Sequence, residues 1–130
     1  MYVLDTNTLI YHFKGQGQVT QNLARVPPQD IFVPTIVFFE LQVGIVKSSS
    51  PEKRMQQVQQ LLSQATLVPF DLEVAVASAQ IRAHLEQQGT PIGSLDVLIA
   101  GTAVALQATL VTHNVREFSR VPGLAIADWY

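Results

Sequence analysis

Cysteine is absent from this chain of 130 residues, and charged residues are scarce. Without cysteine the protein has no disulfide, no thiolate metal site and no cysteine nucleophile. Asp, Glu, Lys and Arg together make up only 14% of the sequence, and the formal net charge is −2. Such a chain exerts no overall electrostatic attraction on nucleic acid. A role in phosphate binding therefore requires metal ions or a local cluster of Arg and Lys.

Long apolar runs are also missing. No stretch reaches the ~18 apolar residues of a membrane span, and the short apolar opening lacks the length and basic flank of a signal peptide. We therefore expect a cytoplasmic protein without a membrane association. Its length suits one domain, residues 1–130. The apolar fraction of 48% is high for a soluble domain, which indicates that a partner covers one hydrophobic face.

Short apolar runs alternate with helical patterns along the chain. Alternation of this kind predicts parallel strands joined by right-handed crossovers, and continuous apolar strands favour a sheet covered on both faces. We expect a three-layer α/β/α sandwich with a short, mainly parallel central sheet. Asp71 is predicted to cap a helix, and Ser49 and Glu52 have the spacing of a capping box. The predicted strands end near residues 4, 33, 68, 112 and 126, and the predicted helices cover 8–14, 19–25, 36–47, 51–64, 71–88, 95–106 and 115–120.

Four polar residues lie where predicted strands end or on the helices that follow them. Asp5 follows the first strand, and Glu40 lies about one and a half turns into the helix after the second. Asp96 begins an alanine-rich helix, and Asn114 follows the strand that ends at Thr112. Ligands of open α/β sheets bind outside the carboxyl ends of the strands. Asp5 could alternatively serve only as a helix cap, a common role of Asp.

Three carboxylates in one crevice repel each other, by ~4 kcal/mol for a pair ~4 Å apart at an effective dielectric near 20. Protons or cations must compensate this repulsion. Oxygen ligands suit hard cations such as Mg²⁺ and Mn²⁺, and such ions promote phosphodiester hydrolysis. The residues alone therefore favour metal-assisted hydrolysis of a phosphodiester.

Four segments resemble the ordered motifs of the PIN-domain family. Asp5-Thr6-Asn7 after the first strand is similar to its opening, and residues 34–44 (PTIVFFELQVG) resemble its second motif. Residues 91–100 (PIGSLDVLIA) and 110–118 (LVTHNVREF) resemble the third and fourth. Together they span nearly the whole chain. The compact size and the loop before Asp96 resemble the VapC toxins of bacterial toxin–antitoxin modules.

This resemblance implies a Mg²⁺-dependent endoribonuclease, with Mn²⁺ as a substitute, that cleaves RNA such as tRNA, with initiator tRNA as one candidate. It implies four catalytic residues, Asp5, Glu40, Asp96 and Asn114, of which the first three are also metal ligands. Many PIN domains have an acid where this chain has Asn114, which does not favour a second metal and leaves Asn114 to orient water or a ligand. The resemblance also implies a VapB-type antitoxin and a homodimer, which assembles with the antitoxin into a larger hetero-oligomer.

Other hypotheses remain open at this stage. A phosphatase with Asp5 as nucleophile would favour a second carboxylate two residues later, where the chain has Asn7. A PIN-type nuclease of RNA processing and a catalytically inactive binding module are further alternatives. Several residues have both a structural interpretation and a role at the site: His12, His84, His113, Thr112 and Arg82, and Lys14, Arg116 and Arg120 as phosphate contacts.

Overall fold

The computed structural model describes all 130 residues, Met1–Tyr130. Five strands alternate with seven α-helices and one 3₁₀ turn, close to the expected order. The strands are β1 (Tyr2–Leu4), β2 (Ile31–Pro34), β3 (Thr66–Val68), β4 (Thr109–Val111) and β5 (Ile126–Ala127). The helices are α1 (Thr6–Lys14), α2 (Val19–Leu23), α3 (Thr35–Lys47), α4 (Pro51–Leu62), α5 (Leu72–Gln87), α6 (Ser94–Leu106) and α7 (Val115–Phe118), and the 3₁₀ turn covers Pro28–Asp30.

All five strands are parallel, in the order β3-β2-β1-β4-β5. The first strand of the chain is therefore the central one, with Val3 opposite Phe32 on one side and Leu110 on the other. Val3 and Leu4 point to opposite faces, and both are fully buried. Helices thus cover both faces, which confirms the predicted three-layer α/β sandwich. No helix is long and apolar enough to cross a membrane.

Helix caps decide where the chain turns from strand to helix. Asp71 caps α5 as predicted, because its Oδ1 accepts a hydrogen bond from the Val74 amide at 3.0 Å. The predicted capping box of Ser49 and Glu52 is wrong: α4 has Ser50 at its N-cap, with no side-chain cap. The Ser48 hydroxyl instead accepts the Ser50 N–H at 3.0 Å and so stabilises the preceding turn.

Helices α5 and α6 pack unusually closely, since Gly101 of α6 faces Ser78 of α5. A Cβ at position 101 would lie 1.9 Å from the Ser78 Oγ and 2.9 Å from its Cα. Only a residue without a side chain fits there. The Ser78 hydroxyl is buried by this contact and makes no hydrogen bond. The α5–α6 pair carries the loop of residues 88–93 and the start of α6 to the carboxyl edge of the sheet.

Candidate active site in an acidic crevice

Asp5 is fixed between β1 and α1 at the carboxyl edge of the sheet. Its side chain is 5% exposed, and its Oδ1 accepts the Thr8 N–H at 2.9 Å as the cap of α1. Its own amide donates to the Val111 carbonyl of β4 at 3.1 Å, and the Thr8 hydroxyl donates to the same carbonyl at 3.2 Å. The capping interpretation is therefore correct. The cap uses only the Oδ1 of Asp5, and the Oδ2 has no hydrogen bond within the chain.

Glu40 reaches the same edge from α3. Thr6, the residue after Asp5, donates its hydroxyl to the Glu40 Oε1 at 2.6 Å. This short bond ties the start of α1 to the sixth residue of α3 and fixes the carboxylate beside Asp5. A hydroxyl donor leaves the negative charge of Glu40 in place, whereas an Arg or Lys partner would neutralise it.

Asp96, in the first turn of α6, carries the most perturbed carboxyl group of the crevice. Its pKa rises from 3.8 to about 6, first because burial disfavours the charged form and then because Glu117, Glu40 and Asp5 repel it. The N-terminus of a helix ordinarily favours a carboxylate. Burial and three like charges outweigh that effect here, so four acids from four elements act on one crevice.

Glu117 is the member of this group that the sequence pattern did not single out. Its Oε1 accepts the Gly93 N–H at 2.8 Å, and its Oε2 accepts an N–H of the Asn114 side chain at 2.7 Å. These bonds lower the pKa of Glu117. Asn114 does lie at the crevice, but its amide orients a carboxylate. A helical turn places residues three apart on one side, and this was the available signal for pairing Asn114 with Glu117.

The remaining polar candidates near the fourth strand have hydrogen-bond or stacking partners within the chain. Thr112 is fully buried, and its hydroxyl accepts the Asn114 N–H at 3.0 Å. The His113 Nδ1 lies 3.0 Å from the Asp128 Oδ2, and its ring stacks on Tyr130 at a centroid distance of 4.3 Å. Arg120 donates to the Pro91 carbonyl at 3.1 Å.

Helix residues away from the crevice follow the structural interpretation as well. Arg82 pairs with Glu86 at 2.8 Å on an exposed helix face and does not reach Glu40. The His12 Nδ1 lies 2.9 Å from the Thr20 hydroxyl, and burial lowers the pKa of His12. His84 lies exposed near the end of α5.

The donor set of the crevice fits a hard divalent cation. All four groups are carboxylates, and neither ion pair of the protein includes any of them. Burial and then repulsion by the other three acids raise the pKa of Asp96, while Arg120 offsets part of the negative charge of Glu117. No three acids or histidines lie close enough together to form a ready cage. The crevice is therefore an open, charged site in which a cation would relieve the repulsion.

Fold and site together define a class of protein: a parallel α/β domain with a crevice of four acidic side chains at the carboxyl edge of its sheet. Comparison with known sequences identifies the member of that class. The PIN domain matches residues 2–124, and the chain belongs to the PIN-domain family. Nucleases of this family generally depend on a divalent metal.

Individual relatives are similar over almost their whole length. The tRNA(fMet)-specific endonuclease VapC of Salmonella typhimurium is 35% identical over 128 residues, covering 98% of this chain and 97% of the relative. Ribonuclease VapC2 of Rickettsia felis is 36% identical over 131 residues, covering 99% and 98%. A crystal structure of VapBC2 from Rickettsia felis, bound to a DNA fragment from their promoter, matches with a TM-score of 0.92 and 35% identity, covering 99% and 98% of the two chains.

Proposed function

We propose that this protein is the toxin of a type II toxin–antitoxin pair, a Mg²⁺-dependent endoribonuclease that acts in the cytoplasm. Its proposed substrate is tRNA, with initiator tRNA first, because a relative that is 35% identical is named for that RNA. The observation that carries the proposal is the crevice in which burial, and then repulsion by Glu117, Glu40 and Asp5, raise the pKa of Asp96. Mutual repulsion of this kind suits a site that functions with a bound cation.

Asp5, Glu40 and Asp96 would hold the cation, with Mn²⁺ able to replace Mg²⁺. The bound ion supplies charge stabilisation to the phosphodiester as it is hydrolysed. The protein keeps its ligands in place: Thr8 fixes Asp5, and Thr6 fixes Glu40. Asp5 and Glu40 are thus fixed before the cation arrives, whereas the three acids would have to move closer together to share it.

Glu117 would complete the negative charge of the crevice from the opposite side. Its two oxygens are oriented by Gly93 and Asn114, so Glu117 connects the short helix α7 to the residue that precedes α6. In this scheme Asn114 is a positioning residue that acts through Glu117. Asn114→Ala should therefore lower cleavage less than Glu117→Gln does, because water can replace the lost amide donor but not the lost charge.

The direct test is cleavage of labelled transcripts by the purified protein. Initiator tRNA should be cut at one position with Mg²⁺ or Mn²⁺, and an elongator tRNA should be cut more slowly. Sequencing the RNA ends after brief expression would then locate the cut in the cell. Cleavage that persists after removal of all divalent cations would refute the role of the crevice, and intact RNA under every condition would favour an inactive binding module.

The proposed partners are a VapB-type antitoxin and a second copy of the chain. Helix α3 exposes Phe39, Val43 and Val46 on one face, with 54%, 38% and 84% of their surfaces accessible. Contiguous exposed apolar residues are typical of a protein interface. Val46→Glu should shift the protein from dimer to monomer in light scattering if this face joins two copies. An unchanged mass would place the dimer contact elsewhere.

The antitoxin would inhibit by covering the crevice. An Arg or Lys of its tail, pairing with Asp5, Glu40 or Asp96, would make strong charge-assisted hydrogen bonds where the cation would bind. Truncating that tail should restore cleavage, and replacing its basic residue should weaken inhibition. A full-length antitoxin that binds without lowering the turnover rate would contradict this mode. A nuclease encoded without a binding partner would instead favour a role in RNA processing.

A further inference from the structure

A groove leads away from the acidic crevice beside Glu40. It encloses about 310 Å³ between α1, α3 and the start of α4, and Glu40 forms one of its walls. Lys14 and Arg54 line the same groove, together with Ser48 and Ser49. The groove thus shares Glu40 with the proposed cleavage site, and it adds positive side chains that the four acids of the crevice lack.

Arg54 is held in this groove without a carboxylate partner. Its Nη1 donates to the Gln57 Oε1 at 2.8 Å, and its guanidinium lies 5.5 Å from the centroid of the Phe13 ring. Gln57 is itself oriented, because its amide donates to the Phe13 carbonyl at 3.0 Å. Neutral groups therefore fix a half-buried cation while most of its five N–H donors stay free. A guanidinium prepared in this way suits an oxyanion with two acceptor oxygens.

Lys14 supplies a second positive charge from the last residue of α1. It is exposed and forms no ion pair, although Glu40 lines the same groove. The protein has only eight Lys and Arg residues and a net charge of −2. Lys14 and Arg54 therefore form a local pair of positive side chains in a chain of negative net charge, and such a cluster is what phosphate binding requires here.

We propose that this groove binds a backbone phosphate of the RNA substrate, next to the phosphodiester that is cleaved. The inference rests on the proposed nuclease function. Glu40 lines both sites, so a strand that lies across the crevice brings its next phosphate to Lys14 and Arg54. An acidic peptide could pair with the same two cations, but its carboxylates would lie beside Glu40. Unlike RNA, it has no chain of phosphates that reaches both the groove and the cleavage site.

The experiment measures single-turnover cleavage of end-labelled initiator tRNA at increasing protein concentrations. Arg54→Gln and Lys14→Gln should each raise the half-saturating concentration by about tenfold, or about 1.4 kcal/mol, and leave the rate at saturation within about twofold. The slope of log affinity against log salt should fall by about 0.7 for each lost cation. The control is Arg25→Gln, which lies on an exposed segment and has no ion pair or side-chain hydrogen bond. It should leave the half-saturating concentration and the salt slope unchanged.

Four outcomes separate the alternatives. Arg54→Lys should recover part of the affinity, because it keeps the charge and loses the planar fork. If Arg54→Gln weakens binding no more than Arg25→Gln, or lowers only the saturated rate, the phosphate site is wrong. If both groove variants bind tRNA normally but lose the antitoxin tail, the occupant is an acidic peptide. If wild-type protein binds the transcript without cleaving it, the proposed nuclease function fails, and the affinities still test the groove.

Discussion

Asp96→Asn should abolish RNA cleavage and at the same time stabilise the cation-free protein. The substitution keeps the shape of the side chain and removes a charge that burial and three neighbouring carboxylates oppose. A pKa that rises from 3.8 to about 6 marks a folded state in which the ionised form is disfavoured. The folded protein therefore loses stability as this group ionises, and the asparagine variant does not.

The size of the gain follows from the same values. A rise from 3.8 to about 6 corresponds to about 3 kcal/mol, since one pKa unit is worth about 1.4 kcal/mol. Asp96 is only half-buried, and solvent screening reduces this to about 1.5 kcal/mol. The penalty is absent below pH 3.8, grows as the pH rises towards 6 and is constant above it. At pH 4.5 the gain should be about a third of its value at pH 7.5.

Chemical denaturation of the wild type and of Asp96→Asn in EDTA, at pH 7.5 and pH 4.5, measures the difference in their free energies of unfolding. In thermal unfolding at pH 7.5, the midpoint of Asp96→Asn should lie about 5 °C above that of the wild type. Asp30→Asn removes the same charge just before β2, away from the crevice, and should not reproduce the gain. Added Mg²⁺ should stabilise the wild type more than Asp96→Asn and so narrow the difference. A variant that is less stable in EDTA at pH 7.5, or that cleaves RNA at the wild-type rate, would refute the reasoning.

Three further outcomes are expected. Asp5→Asn should lose cleavage with little change in the melting temperature, because asparagine caps a helix as well as aspartate does; full turnover at saturating Mg²⁺ would contradict the assignment. EDTA should stop cleavage of a tRNA transcript, and Zn²⁺ should restore it poorly, since the crevice offers neither Cys nor a His pair. In chemical denaturation, Gly101→Ala should lower the free energy of unfolding by about 1–3 kcal/mol, because the added Cβ forces α5 away from α6. Gly44→Ala, whose Cβ would meet open space, should leave the free energy of unfolding unchanged or raise it.

Much of the fold could be predicted because its signals are local. Strands that are buried in a parallel sheet have continuous apolar sequences, such as residues 31–33. Asp71 indicates the start of a helix because it directly precedes a helical pattern. Asp5, Glu40 and Asp96 were expected at one edge because parallel strands share a carboxyl edge, and their electrostatic coupling agrees with that. The assignment of these residues as metal ligands is still a prediction.

Other features depend on contacts that no local pattern encodes. Glu117 joins the crevice only because the turn of α7 and the backbone of Gly93 meet, which requires the completed sheet. The closeness of Ser78 and Gly101 likewise follows from the crossing of two helices. The Ser49 capping box failed because a second serine pattern competed with it: Ser48 accepts the amide that precedes the helix, and α4 starts one residue later.

The position of β1 between β2 and β4 has a consequence for synthesis of the protein on the ribosome. Asp5 is translated long before Val111, whose carbonyl accepts its amide N–H, and Glu117 follows later still. A nascent chain that ends before β4 therefore carries three of the four acids of the crevice and has no neighbour for one side of its central strand. The complete group of four acids cannot assemble until β4 and α7 have been translated. The order of the strands thus makes the crevice one of the later parts of the domain to form, after both neighbours of β1 exist.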